Sequence, residues 1–309
     1  MSNTIDPQGQ QFLAALNYLQ QRAARAEQQI TSGRRVSSAE DAPQDLSQIL
    51  GIDSHLHESQ QILSNLGRVK TDVAVGEGSL QTAVQLLDQA TTIGTQGGSD
   101  LGFASQQRPV LAAQIQRLHE QLVAISQTQV EGRFIFSGDA DSGPAYQLNL
   151  ASTDGNGVDR LSTAQATRQV QGPDGTSFSV AKTAGEIFDH RNPDDSVAND
   201  NVFAALNSLR VALQANDTAA ITAALAKLQA SADYLNQKLA SYGNAQNLVA
   251  AAIDSTNKLQ TRWTVRLSEL RDTDQTAAIL ELNQAHAGAQ AALSAEGQRP
   301  RTSLFDFLR

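Results

Sequence analysis

Apolar residues near the N-terminus recur at a spacing that only a helix partnered along one narrow stripe can use. Phe12, Leu16, Leu19, Ala23, Ala26 and Ile30 are 4, 3, 4, 3 and 4 residues apart, the a/d seam of a coiled coil. Thr31-Ser32-Gly33 interrupts the seam, and Pro43 lies in a polar loop from Ser37 to Asp45. A second seam runs Ile52, Leu56, Ser59, Leu63, Leu66, Lys70, Val73, Gly76, Leu80, Ala83, Leu87, Ala90, with Ser59 and Lys70 as polar interruptions. Gly94 to Gly102 reads as a loop by composition. A third stripe, Leu111, Ile115, Leu118, Leu122, Ile125, is entered through Pro109 near its first turn.

The same spacing returns at the other end. Phe203, Leu206, Leu209 and Leu213 share a face, and Asn216-Asp217 ends that segment. A long seam follows: Leu235, Leu239, Tyr242, Gln246, Val249, Ile253, Thr256, Gln260, Trp263, Leu267, Leu270. Asp272-Thr273-Asp274 caps a last helix carrying Ile279, Leu282, His286, Ala289 and Leu293. A seam is buried only against another seam, so the economical arrangement pairs the two ends. Two separate bundles joined by a linker remain the alternative.

Between the helical ends the character changes. Arg133 to Phe136 reads as a strand, and 139–199 is rich in Gly, Asp, Asn, Ser and Thr. Arg168 to Gln171 and Thr176 to Val180 flank Gly172-Pro173-Asp174-Gly175, a hairpin signature. The expected fold is therefore mainly α: an elongated antiparallel helical rod or coiled coil built from the N- and C-terminal segments, with a small β-rich inserted domain. The expected divisions are 1–45 with 272–309 as terminal helices, 46–138 with 200–271 as rod, and 139–199 as the insert.

Composition agrees with narrow helical packing, since aromatics make up only 5% of the 309 residues. The absence of cysteine excludes disulfides, thiolate metal sites and a Cys nucleophile. The net charge is −9 with no run of basic residues, so no phosphate-tracking surface for nucleic acid is expected. No apolar run is long enough to span a bilayer, and Met1 to Gln11 lacks the features of a secretory signal. The expectation is no membrane partner, and export, if any, without a cleaved peptide.

Catalytic patterns fail on inspection. His57-Glu58 and His119-Glu120 each begin H-E-x-x-H, but the fifth positions are Gln61 and Val123. His55 and His57 point apart on a helix. Asp139 to Gly143 opens like an EF-hand loop, yet Pro144 and Leu150 stand where Gly and Glu are needed. Gly76-Glu77-Gly78 lies within a helical seam rather than after a strand. The expectation is a protein that is not an enzyme and needs no cofactor or metal.

Several segments together carry a resemblance. They are Ser32 to Val36 (SGRRV, with Gly33 and Arg35), Val75 to Leu87, Gln129 to Gly138 (QVEGRFIFSG, with Gly132, Arg133, Phe134, Phe136 and Gly138), Leu267 to Asp274, and Ser303 to Leu308 (SLFDFL). In this order and at both ends, the chain resembles the flagellin superfamily, and within it the hook–filament junction proteins. The N-terminus MSNTIDPQGQQ departs from the family's usual short opening.

The resemblance implies a structural, extracellular subunit of the bacterial flagellum at the hook–filament junction, exported uncleaved through the flagellar type III channel. It implies a ring of copies of the chain itself, contacts with the other hook-associated junction protein and with flagellin, and an export chaperone on the C-terminal region. Phe12, Leu16, Leu19, Ile30, Ile279, Leu282 and Leu293 would form the inner coiled coil. Leu304, Phe305, Phe307 and Leu308 would anchor the C-terminus. Filament flagellin, a coiled-coil signalling or effector protein, and an enzyme seated in the insert are the competing readings.

Overall fold

The computed structural model describes residues 7–38, 40–99 and 104–298. Among the described residues, seven helices and six short strands follow in the order α1 (Pro7–Ser32), α2 (Pro43–Gly98), α3 (Ala104–Ser126), β1 (Gln129–Val130), β2 (Arg133–Phe134), β3 (Tyr146–Leu148), β4 (Val158–Arg160), β5 (Gln169–Gln171), β6 (Ser177–Ser179), α4 (Ala184–Ile187), α5 (Val202–Gln214), α6 (Thr218–Arg271) and α7 (Gln275–Gly297). The chain divides into two compact units, 1–58 with 259–309, and 59–258. The expected divisions near 45, 138, 199 and 271 do not coincide with them.

In the first unit, α1 lies against α7. The direction is antiparallel, because Thr273 donates to the Gly33 carbonyl at 3.0 Å while Gly288, further along α7, faces Leu19. The buried positions are small: Ala26 in α1, Ala278 and Ala285 in α7. Small residues let the two helices approach closely.

In the second unit, α2 and α6 run antiparallel, with Gly76 opposite Tyr242, Gly94 opposite Leu225 and Gly98 opposite Ile221. A Cβ on Gly76 would lie 2.5 Å from Tyr242 Cε1, and one on Gly94 would lie 2.6 Å from Leu225 Cδ2. These glycines give room to large neighbours, which explains why the helix continues to Gly98 through a stretch that reads as a loop. Likewise α3 begins at Ala104, so Pro109 sits inside the helix rather than in its first turn. Nearby, Arg108 Nε donates to the Gly97 carbonyl at 2.7 Å and Nη1 reaches the Asn216 side chain.

The middle segment forms three antiparallel hairpins, β1–β2, β3–β4 and β5–β6. The third has the register Gln169↔Ser179, in the segments the Gly-Pro-Asp-Gly turn marks. Phe136 lies beyond β2, so the expected strand ends two residues early. Phe136, Tyr146, Val158, Ile187 and Phe188 are buried in one core with Leu118, Leu122 and Phe203 of the helices. No helix is long and apolar enough to cross a membrane among the described residues.

Candidate assembly interface

The paired α1 and α7 present the first candidate surface. Phe12, Leu16, Leu19 and Ile30 are half-buried along the α1 stripe, and Leu282 is half-buried on α7. Ile279 and Leu293 stand outside the packed face, at 48% and 55% exposure. The stripe that faces α1 is Ala278, Leu282, Ala285, Ala289 and Ala292, which shares Leu282 and Ala289 with the expected pattern and takes the preceding alanine in place of Ile279, His286 and Leu293. Of the expected seam residues on α7, Leu282 lies on this stripe, while Ile279 and Leu293 are turned out beside it. His286, expected on the seam, is exposed and sits 3.9 Å from Glu27. Leu13, Tyr18 and Leu280 are also exposed. Across the pair, Arg22 holds Glu281 through two donors, Nη2 at 2.7 Å from Oε2 and Nε on Oε1. The Arg22 hydrogen bond pulls the Glu281 carboxyl below its ordinary range.

The turn after α1 is a clamp. Gly33 has φ +67°, the left-handed conformation that closes a helix C-terminus at low cost, and its N–H donates to Gln29 at 2.9 Å. Arg34 bridges to Asp272. Arg35 N–H donates to the Arg271 carbonyl at 2.7 Å, and its Nη2 donates to Leu270 at 2.6 Å and to Asp45 at 3.2 Å. The α6–α7 corner is therefore held by the Gly33–Arg35 stretch. The loop that follows turns on Asp41, whose carboxylate accepts from the Ser37 and Ser38 N–H groups at 2.9 and 2.8 Å. Those bonds hold its pKa down at about 2. In α2 of the same unit, His55 stacks on Trp263 of α6 at 4.9 Å between ring centroids.

In the second unit, the Gln129–Gly138 segment is a tight hairpin and its exit. Glu131 and Gly132 have φ +52° and +77° between the pairs Val130↔Arg133 and Gln129↔Phe134, as a two-residue type I′ turn requires. Phe134 is half-buried, and Phe136 packs edge-on against Phe188 at 5.7 Å. A side chain at Gly138 would strike the Ala166 carbonyl. Arg133 and Arg168 converge on the half-buried Asp72, with Arg133 Nη2 at 3.4 Å. Burial pushes the Asp72 carboxyl up, and Arg133 pulls it back.

Motif reading did not single out the buried carboxylate of Asp189. It accepts from Tyr146 Oη at 3.1 Å, Asn156 at 3.2 Å, Asn201 at 2.8 Å, Arg191 at 2.9 Å and Arg160 at 3.4 Å. Its partners come from four separate stretches, so spacing gives no signal. Leu304, Phe305, Phe307 and Leu308 lie outside the described residues. No cluster of three or more His, Asp or Glu placed to hold a metal occurs among the described residues.

Residues 9–141 match the family model of the bacterial flagellin N-terminal helical region. None of the curated protein sequences matches the chain. Among solved structures, a Vibrio parahaemolyticus protein assigned as flagellar hook-associated aligns at TM-score 0.63 and 17% identity, over 75% of this chain and 100% of that one. Flagellar hook associated protein-3 of Legionella pneumophila aligns at TM-score 0.61 and 14% identity, over 72% and 98%. The flagellar junction protein FlgL from Legionella pneumophila aligns at TM-score 0.57 and 13% identity, over 72% and 99%. The chain thus carries a segment similar to the flagellin N-terminal helical region and shares the fold of flagellar hook-associated proteins.

Proposed function

We propose that this chain is a structural subunit of the bacterial flagellum, an adaptor at the hook–filament junction that assembles through its terminal helices. The observation that carries the proposal is the α1–α7 pair. Its inner face buries Ala26, Ala278 and Ala285 beside the half-buried Leu19 and Leu282, yet Leu13, Tyr18, Ile279, Leu280 and Leu293 remain exposed on its outside. Such side chains gain roughly 1.5–3 kcal/mol each when a neighbouring subunit covers them fully. The flagellin N-terminal match and the shared fold support the flagellar setting. In this reading the partners are copies of the chain, the other junction protein, flagellin, and an export chaperone at the C-terminal region. The location is extracellular, reached without a cleaved signal peptide. The chain performs no catalysis.

A filament flagellin is the second reading, favoured by the family model itself. Deleting the gene separates the two. Loss of a junction adaptor leaves hooks without filaments and sheds flagellin into the medium. Loss of a filament subunit leaves hooks without filaments and no such protein in the medium. Normal filaments on the deletion strain would rule out the adaptor.

A further inference from the structure

We propose that Asn156 is a site of spontaneous deamidation that the fold holds closed, so that only chains left open are converted, and converted chains can no longer complete the buried cluster around Asp189. This goes beyond the flagellar reading and does not rest on it.

Packing dictates both residues of the pair. Asn156-Gly157 is the one Asn-Gly step in the sequence. Position 157 is fitted to glycine: its φ is +76°, and a Cβ there would lie 2.5 Å from His119 Cε1 and 3.1 Å from Asn207 Cγ. Position 156 needs a side chain that donates and accepts at once. Its Nδ2 donates to Oδ1 of Asp189 at 3.2 Å, and its Oδ1 accepts from the Val158 N–H at 3.3 Å. An amide does both, whereas a carboxylate only accepts.

The pair that packing selects is also chemically labile. With no side chain on Gly157, its backbone nitrogen reaches Cγ of Asn156 unhindered. A bond forms between the Gly157 nitrogen and Cγ, and the Cγ–Nδ2 bond breaks. Ammonia leaves with the proton that the Gly157 nitrogen gave up. Water then opens the succinimide ring at either carbonyl, leaving aspartate or isoaspartate. The reaction consumes water alone.

The folded chain blocks each step. Asn156 is buried at 1% exposure. The Gly155 carbonyl accepts from Asn207 Nδ2 at 2.8 Å, and the Gly157 carbonyl accepts from the Asn149 N–H at 2.9 Å. Attack turns Cγ away from Asp189, and ring opening needs water, so both wait for local opening of the loop. The product does not fit back. Aspartate at 156 removes a donor and sets a second carboxylate against Asp189, whose side chain has no exposure. Isoaspartate adds a main-chain carbon beside the Leu148↔Val158 pair that ends the β3–β4 ladder.

The test incubates the full chain in mildly alkaline buffer with and without urea. The amide-to-acid mass gain is followed by fragmentation of the tryptic peptide from Phe134 to Arg160. In urea, Asn156 should convert before the other asparagines, and the folded chain should convert at least about tenfold more slowly. After dilution from urea, size exclusion should find converted chains depleted from the refolded fraction and enriched in the misfolded one. Unconverted chains in the same sample control for refolding itself. Asn156→Asp should lower the urea midpoint. Protection smaller than about tenfold overturns the proposal, as does faster conversion of another asparagine in urea. Equal recovery of converted and unconverted chains, or an Asn156→Asp midpoint equal to that of the unaltered chain, also overturns it.

Discussion

Tyr146 Oη donates a 3.1 Å hydrogen bond to Oδ2 of Asp189, and the Asp189 side chain has no exposure to solvent. Burial, with the neighbouring carboxylate second, pushes the Tyr146 hydroxyl above its ordinary range, so the phenol stays a donor. Asn156, Asn201 and Arg191 also donate to this carboxylate. One acid thereby ties β3, the β3–β4 loop and the start of α5 together. Asp189→Ala leaves several buried donors unpaired and is expected to destabilise the chain by about 3–5 kcal/mol. Urea unfolding measures this, and a loss below about 1 kcal/mol would show the knot to be dispensable.

His119 gives the second unit a built-in acid sensitivity. Its ring is fully buried, neither nitrogen has a hydrogen-bond partner, and it stacks on Phe203. Burial, with Arg210 second, lowers its pKa to about 4 from 6.5. The folded state therefore binds fewer protons than the unfolded state between these values. Stability is complete above the unfolded pKa and falls as pH drops from 6.5 toward 4, by about 3 kcal/mol in all. His119→Leu should remove most of that slope. Urea midpoints at pH 7 and pH 4.5 for both proteins decide the matter, and parallel losses would refute the assignment.

Two glycines of α2 should respond oppositely to alanine. Gly76 faces the Tyr242 ring, where an added Cβ would lie 2.5 Å from Cε1, whereas Gly78 has open space. Helix propensity favours alanine by up to about 1 kcal/mol, and overpacking costs about 1–3 kcal/mol. Gly78→Ala should raise the melting temperature and Gly76→Ala should lower it. The same sign for both would contradict the packing described.

The α1–α7 pair allows folding and assembly to be separated. Ala285 is buried and Leu293 is exposed. Ala285→Asp places a charge between the helices and should cost more than about 3 kcal/mol locally. Circular dichroism would show lost helix. Leu293→Asp should change monomer stability by no more than about 0.5 kcal/mol while abolishing assembly at the hook tip, scored by electron microscopy. Wild-type assembly by Leu293→Asp would remove the outward apolar face from the mechanism.

Much of the fold was legible because helix formation follows local periodicity. Asp274 caps α7 through the Thr276 and Ala277 N–H groups, and Asn201 caps α5, both where polar residues precede apolar stripes. The Gly-Pro-Asp-Gly turn falls between β5 and β6 for the same local reason. Gly94 to Gly98 misled because glycine in a helix is unfavourable locally, and only the approach of Leu225, Leu209 and Leu213 explains it.

The sequence by itself determined that long heptad-patterned helices stand at both ends with a β-rich stretch and the β5–β6 hairpin between them, since spacing and turn chemistry act within a few residues. Only the tertiary structure decided which stripe of α7 faces α1. Ile279 and Leu293 offer the larger apolar surface, yet Ala278 and Ala285 are the buried ones, because close helix approach depends on the partner's surface. It alone decided the convergence on Asp189 and on Asp72, whose partners are distant along the chain. Contacts of that kind leave no local pattern to read.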